Sequence, residues 1–198
     1  VRWITVGMSR CLVQRVSYTG DLGYEIFTEP TKQRQVFSTL WEAGQPMGIR
    51  PFGMRAMMSL RLDRFFGAWS REFSPDYTAG ETGMDRFISW KKNVDFIGRA
   101  AAEAERAEGA ARKLVAFVVD ADDADVVAYE PIWIHGAVQG FCTSGGYSHF
   151  ARKSIALGFL PVGSNLDGLM VEIEILGKMN PARLIKTLFD ADGSRMRG

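Results

Sequence analysis

After Gly109 the sequence breaks into six short apolar runs: "RKLVAFVVD", "EPIWIHG", "AVQGFCTSG", "KSIALGFLP", "LMVEIEILG" and "ARLIKTLF". Gly, Pro, Asp and Asn punctuate the gaps between them. No run is long enough for a helix of several turns, and each is rich in β-branched or aromatic residues. Short strands at this spacing bury their apolar faces against one another only in a small antiparallel barrel or sandwich. The acidic run "DADDAD" (Asp120 to Asp125) falls between two of them and reads as a solvated hairpin loop. It lacks the glycine and distal Glu that an EF-hand calcium loop needs.

The part before Gly109 has a different texture. "RCLVQRVSY" and "YEIFTE" read as strands, and "TGDLG" between them supplies a turn, so the pair predicts a hairpin. "PTKQRQVFSTLWEAG" predicts a helix from Pro30 to Gly44. Its apolar face is Val36, Phe37, Leu40 and Trp41, and Gly44 is placed to give a left-handed stop. "GIRPFGMRAMMSLRLDRFFG" predicts a second helix, with Met54, Met57, Met58 and Leu62 on one face as core filler. Residues 66 to 98 are irregular and aromatic, as a functional loop or a self-packed one would be. "FIGRAAAEAERAEG" predicts a helix closed by Gly109. The class is α+β, with a domain boundary expected near residues 107 to 112.

The 198 residues are enough for a sizeable core, in one large domain or two small ones. Lys and Arg number 24 against 23 Asp and Glu, a net charge of +1, so no excess of positive charge asks for nucleic acid or an anionic membrane. No apolar run approaches the length of a membrane span. Cys11 and Cys142 have no metal-ligand spacing and read as two reduced, buried thiols of a cytoplasmic protein. With His135 and His149 the only histidines, a metal site is not expected. The start, "VRWITVGMSRCLVQRV", is no signal peptide and reads as a cut through a longer polypeptide.

Few residues carry obvious chemistry. "GDLGYE" is not a dinucleotide-binding glycine pattern, and neither a G-K-[ST] loop nor a G-x-S-x-G elbow occurs. Ser144 and His149 in "TSGGYSH" are explained as well by a Gly-rich strand and turn. The strongest local candidate is "SYTGDLGYEIFTEP". Tyr18 precedes the turn and Glu25 follows it, so a hairpin can bring both to one cleft. A carboxylate facing a heteroaromatic ring accepts two in-plane N–H bonds, and a tyrosine beside it stacks or hydrogen-bonds, which suits a pterin or purine edge. A turn tyrosine with an exposed Glu fits the same residues.

The motifs "YTGDLGYEI", "GMRAMMSLRLD", "AWSREFSP", "DFIGRAAAE" and "CTSGGYSHFARKSIALGFLP" stand in an order that resembles the aminomethyltransferase (glycine-cleavage T-protein) family over essentially the whole chain. "GMRAMMSLRL" and "AWSREFSPDYTAGETG" look nearest to the branch fused behind flavin dehydrogenases and oxidases of dimethylglycine and sarcosine. The resemblance implies that residues 1–108 are the C-terminal part of a folate-binding α+β domain and that residues 109–198 form a β-barrel domain covering the folate cleft. It implies one-carbon transfer from a methylated amine to tetrahydrofolate, with any FAD in a missing N-terminal domain.

The same resemblance assigns Glu25 to the pterin, Tyr18 to the folate pocket and Trp69 to the aromatic position after the second helix. The arginine that approaches the folate tail in glycine-cleavage members falls on Met57 here, which leaves Arg55 as the candidate for that role. The family's catalytic aspartate lies upstream of every residue present. No catalytic residue is therefore assigned, Asp21 is a turn residue, and the fragment is expected to be inactive alone. Two alternatives stay open: a folate-dependent demethylase acting on another methyl donor such as a sulfonium, and a non-catalytic docking or regulatory subunit.

Overall fold

A computed structural model of the chain describes residues 1–163, 166 and 168–188. The chain divides into two compact units, Val1–Arg61 and Leu62–Gly198.

In the first unit, strands β1 (Arg2–Val6), β2 (Ser9–Gln14) and β3 (Glu25–Phe27) form an antiparallel sheet in that order. The predicted hairpin is the β2–β3 pair, in the register Leu12 to Phe27, Val13 to Ile26 and Gln14 to Glu25. Its connection needs Gly23, because a Cβ there would lie 2.7 Å from the carbonyl oxygen of Val16. Alternation divides the sheet. Val6, Cys11, Val13 and Ile26 face helix α1 (Gln33–Gly44) and enclose Val36. Leu12, Gln14, Glu25 and Phe27 share the opposite face.

Two expectations for α1 need correction. Of its apolar face only Val36 is buried, whereas Phe37 and Leu40 are exposed and Trp41 is half-buried, with Phe37 stacked on it. A three-stranded sheet offers the helix a patch just wide enough for one row of side chains. Gly44 does not end the helix in a left-handed turn. It stays right-handed at φ −84°, and it is glycine because a Cβ would sit 2.8 Å from Ile49. The chain continues through a 3-10 turn, Gln45–Met47, and the left-handed residue is Gly48 at φ 75°.

Helix α2 (Met54–Leu62) forms as predicted. Its methionines are not core filler, since Met54 is exposed and Met57 and Met58 are half-buried; the buried residues are Arg61 and Leu62, with Asp63 just beyond.

In the second unit, residues 66–98 carry a short helix, α3 (Ala79–Thr82), and a 3-10 turn, Asp85–Phe87; helix α4 (Arg99–Glu108) follows and ends at Gly109, φ 90°. All six predicted runs are strands: β4 (Arg112–Val119), β5 (Pro131–Ile134), β6 (Ala137–Ser148), β7 (Lys153–Pro161), β8 (Met170–Ile175) and β9 (Lys178–Ile185). They close into an antiparallel barrel in the order β4-β7-β6-β5-β8-β9, which leaves no free edge. Strand β9 starts ahead of Pro181, whose carbonyl accepts from the Asp120 N–H at 2.8 Å. Phe189, the last residue of the sixth predicted run, lies outside the described residues.

Phe117, Val119, Ile132, Cys142, Ala156, Leu160, Val171, Ile173 and Ala182 fill the barrel. A second cluster, Leu62, Ala116, Ile155, Leu157 and Leu188, covers the outside of β4 and β7. With both faces covered, β7 reads as an unbroken apolar run instead of an alternating one. The "DADDAD" loop is more than a solvated turn. Asp125 accepts from the Ser154 hydroxyl at 2.8 Å, and Val126 beside it is buried in the barrel core.

Candidate functional site

In the first unit, strand pairing places Glu25 directly opposite Gln14, and the Gln14 Nε2 donates to Glu25 Oε2 at 2.9 Å. One carboxylate oxygen is thereby held, while the exposed side chain keeps acceptor capacity toward solvent. Leu12 and the half-exposed Phe27 lie one pair further along the same face. Trp3, opposite Leu12 on β1, continues that row, with the Arg10 guanidinium 4.6 Å from its ring centre. An oriented carboxylate acceptor at the end of an apolar, aromatic strip is the arrangement that a flat heteroaromatic with adjacent N–H donors requires.

Tyr18 is half-buried in the turn region before Gly20, which has φ 86°. Asp21 is exposed and accepts from the Thr19 hydroxyl at 3.4 Å, in keeping with a turn residue. Arg55 lies in the first turn of α2 and is exposed. Sequence reasoning singles out Glu25 and misses Gln14, whose role exists only once the strand register is known.

The second unit holds Trp69, which is 80% exposed on the loop after α2. Three residues on, Glu72 is completely buried, with 0% exposure. Its Oε2 accepts from the Ala68 N–H at 2.7 Å, and its Oε1 accepts from the Thr143 hydroxyl at 2.6 Å and the Ser144 hydroxyl at 2.5 Å. Thr143 and Ser144 both reach it because β6 bulges against β7 between Cys142 and Ser144. The extra residue breaks the alternation and turns two successive side chains toward the same loop. Arg71 adds a bond from Nη1 to the Thr143 carbonyl at 3.1 Å.

A second buried acid, Glu81, accepts from the Arg112 Nε at 2.8 Å. Thr78 and Glu81 also form a reciprocal N-terminal cap on α3. The Arg112 guanidinium lies over Tyr77 and Phe159, which stack at 4.2 Å between centres. The motif T-x-x-E in "TAGE" signals that cap in sequence, but nothing there signals the arginine.

Cys11 and Cys142 are both buried free thiols. Burial, with a lesser push from Glu130, raises the Cys142 thiol to about 12. It is therefore no nucleophile at neutral pH. Ser144 is buried against Glu72, while His149 is exposed edge-on to Tyr147, so neither belongs to a hydrolytic triad. No group of three or more His, Cys, Asp or Glu side chains suited to a metal ion occurs among the described residues. None of their helices is long and apolar enough to cross a membrane.

Residues 1–92 match the GCVT N-terminal domain, and residues 112–190 match the glycine cleavage T-protein C-terminal barrel domain. The chain belongs to the glycine-cleavage T-protein family. Among relatives, mitochondrial dimethylglycine dehydrogenase of Mus musculus is 40% identical over 172 residues, 87% of this chain and 20% of that protein. Aminomethyltransferase of Desulfitobacterium hafniense is 33% identical over 179 residues, 90% of this chain and 48% of that protein. The crystal structure of glycine cleavage system aminomethyltransferase T from Bartonella henselae superposes with a TM-score of 0.80 at 23% identity, covering 93% of this chain and 51% of that one. That likeness establishes the T-protein fold with its barrel. The chain thus spans from a fifth to about half the length of these relatives.

Proposed function

We propose that this T-protein-family chain serves tetrahydrofolate-dependent one-carbon transfer, with a methylated amine such as dimethylglycine or sarcosine as donor. The observation that carries the reading is the Glu25 carboxylate, oriented by Gln14 at the end of the strip formed by Leu12 and Phe27. The pyrimidine edge of a reduced pterin offers two adjacent N–H donors to such a carboxylate, and its flat body suits the apolar neighbours. The acceptor and its apolar neighbours therefore fit the cofactor. The relatives named dimethylglycine dehydrogenase and aminomethyltransferase support the choice of donor class.

Tetrahydrofolate supplies the amine that accepts the one-carbon unit. The residues here act by binding and orienting: Glu25 grips the pterin edge, Tyr18 lines the same pocket, Arg55 meets the anionic tail and Trp69 provides an aromatic face. Reaction between two bound species gains most from such positioning. In this reading residues 1–108 are the C-terminal part of the folate-binding domain, 109–198 are the barrel domain, and any FAD belongs to a separate amine-oxidising domain. No acid in the chain is assigned the stabilisation of the cationic donor, and the chain by itself is expected to bind folate without turning over.

Titration of the protein with tetrahydrofolate, wild type against Glu25→Ala, tests the proposal. A tenfold or greater loss of affinity is expected, on the order of one charge-assisted bidentate contact. Equal affinity of the two proteins would remove Glu25 from the pterin site.

A further inference from the structure

Glu72 and Trp69 share one loop but sit at opposite extremes, the first sealed in the protein and the second almost wholly in solvent. Burying a carboxylate is costly unless its lone pairs find donors, and an apolar side chain of the same size would be cheaper if filling space were the only need. Among its donors are the Ala68 backbone N–H, beside Trp69, and the two hydroxyls of the β6 bulge. The loop is closed around the same point. The N–H groups of Arg71 and Phe73 both donate to the Ala68 carbonyl at 3.1 Å. Gly67 has no room for a side chain, since a Cβ would lie 2.6 Å from the Phe73 ring and 2.9 Å from the Glu72 Cβ. The backbone on either side of Trp69 is therefore pinned to a strand of a closed barrel, while the indole itself is left uncovered. A rigid support under an exposed aromatic ring is what a stacking contact needs, because the ring then loses little freedom on binding.

We infer that Glu72 is a positioning residue: its buried carboxylate, held by the Ala68 N–H and the Thr143 and Ser144 hydroxyls, fixes the backbone that presents the Trp69 indole to a flat heteroaromatic ligand. The identity of that ligand rests on the function proposed above, whereas the coupling between Glu72 and Trp69 does not.

The test is fluorine NMR of 5-fluorotryptophan-labelled protein, with the Trp69 resonance assigned by its loss in Trp69→Phe. Glu72→Gln keeps the shape but puts an NH2 against one of these donors. It is expected to move the Trp69 resonance toward the free-amino-acid position and narrow it, while the Trp133 resonance of the barrel stays in place. Ser144→Ala should move the Trp69 resonance less, and Ser144→Thr, which keeps the hydroxyl, should restore it. Tetrahydrofolate affinity should fall about tenfold in Glu72→Gln and in Trp69→Phe, with no further loss in the double variant. A Trp69 resonance unchanged in both Glu72→Gln and Ser144→Ala would overturn the inference. Should Glu72→Gln fail to fold, Ser144→Ala and Thr143→Val decide it by the same resonance. Absence of tetrahydrofolate binding by the wild type would defeat the proposed function and leave the Trp69 resonance to judge the coupling.

Discussion

The Gln14 Nε2 donates to Glu25 Oε2 across the β2–β3 pair at 2.9 Å. The bond holds one oxygen of an exposed carboxylate and so restricts the rotamers open to Glu25. Gln14→Leu keeps the strand and removes the donor. Glu25 is then still charged but free to rotate, so tetrahydrofolate affinity should fall by about threefold to tenfold, less than for Glu25→Ala. Isothermal titration of the two variants beside the wild type checks the ranking. Equal losses, or none for Gln14→Leu, would show that Gln14 does not orient the carboxylate.

The ion pair of Arg112 with Glu81 calls for a stability prediction. The Glu81 side chain is only 8% exposed, whereas Arg112 is 35% exposed and also donates to the Asp76 carbonyl at 3.2 Å. Arg112→Met leaves a buried carboxylate short of its partner and removes the cation over Tyr77 and Phe159. A loss of about 2–4 kcal/mol is expected, read as a lower urea midpoint at unchanged slope. Arg112→Lys should recover only part, because one ammonium cannot replace the Nε and Nη2 of a planar fork. Full recovery with Lys would reduce the contact to simple charge pairing.

Cys142 gives the barrel a pH dependence of known sign. Burial, aided by Glu130, pushes its thiol up from 9.0 to about 12. Because the folded value lies above the unfolded one, the contribution is fully present below pH 9.0 and is lost between there and about 12. In that window the unfolded chain releases a proton that the folded one keeps, so stability falls by up to about 1.4 kcal/mol per pH unit. The difference between wild type and Cys142→Ala in urea midpoint, followed from pH 8 to 10.5, isolates this thiol from lysines and tyrosines. The gap should close or reverse as pH rises; a constant gap would mean that Cys142 does not titrate as described.

The barrel is readable in the sequence because each strand is short, apolar and bounded by turn residues, so local chemistry and global fold agree. The sites are less so. Glu25 can be picked out from the motif around it, but Gln14 becomes its partner only through a register set by the ten residues between β2 and β3. Glu72 gives no signal at all. A glutamate in a polar loop reads as solvated, and its burial depends on a bulge 71 residues further on at Thr143. Gly44 misleads for a related reason: a glycine at the end of a helical pattern reads as left-handed backbone, yet here it marks the close approach of Ile49.

Two glycines of β6 and its preceding turn separate those two uses of glycine and can be tested together. Gly136 has φ +77° and open space where a Cβ would sit, so Gly136→Ala meets only backbone strain, about 1 kcal/mol. Gly140 lies within β6, where a Cβ would come 2.1 Å from the Phe159 carbonyl oxygen and 2.8 Å from Leu160 Cδ2. The β6 strand pairs with β7 on one side and β5 on the other, so it cannot swing outward to make room without disturbing the closed barrel. Gly140→Ala should therefore cost about 3 kcal/mol. Trp133 on β5, whose indole N–H donates to Glu174 on β8 at 3.0 Å, reports barrel unfolding by fluorescence. Similar urea midpoints for the two variants would mean that β6 and β7 approach less closely at Gly140 than the geometry requires.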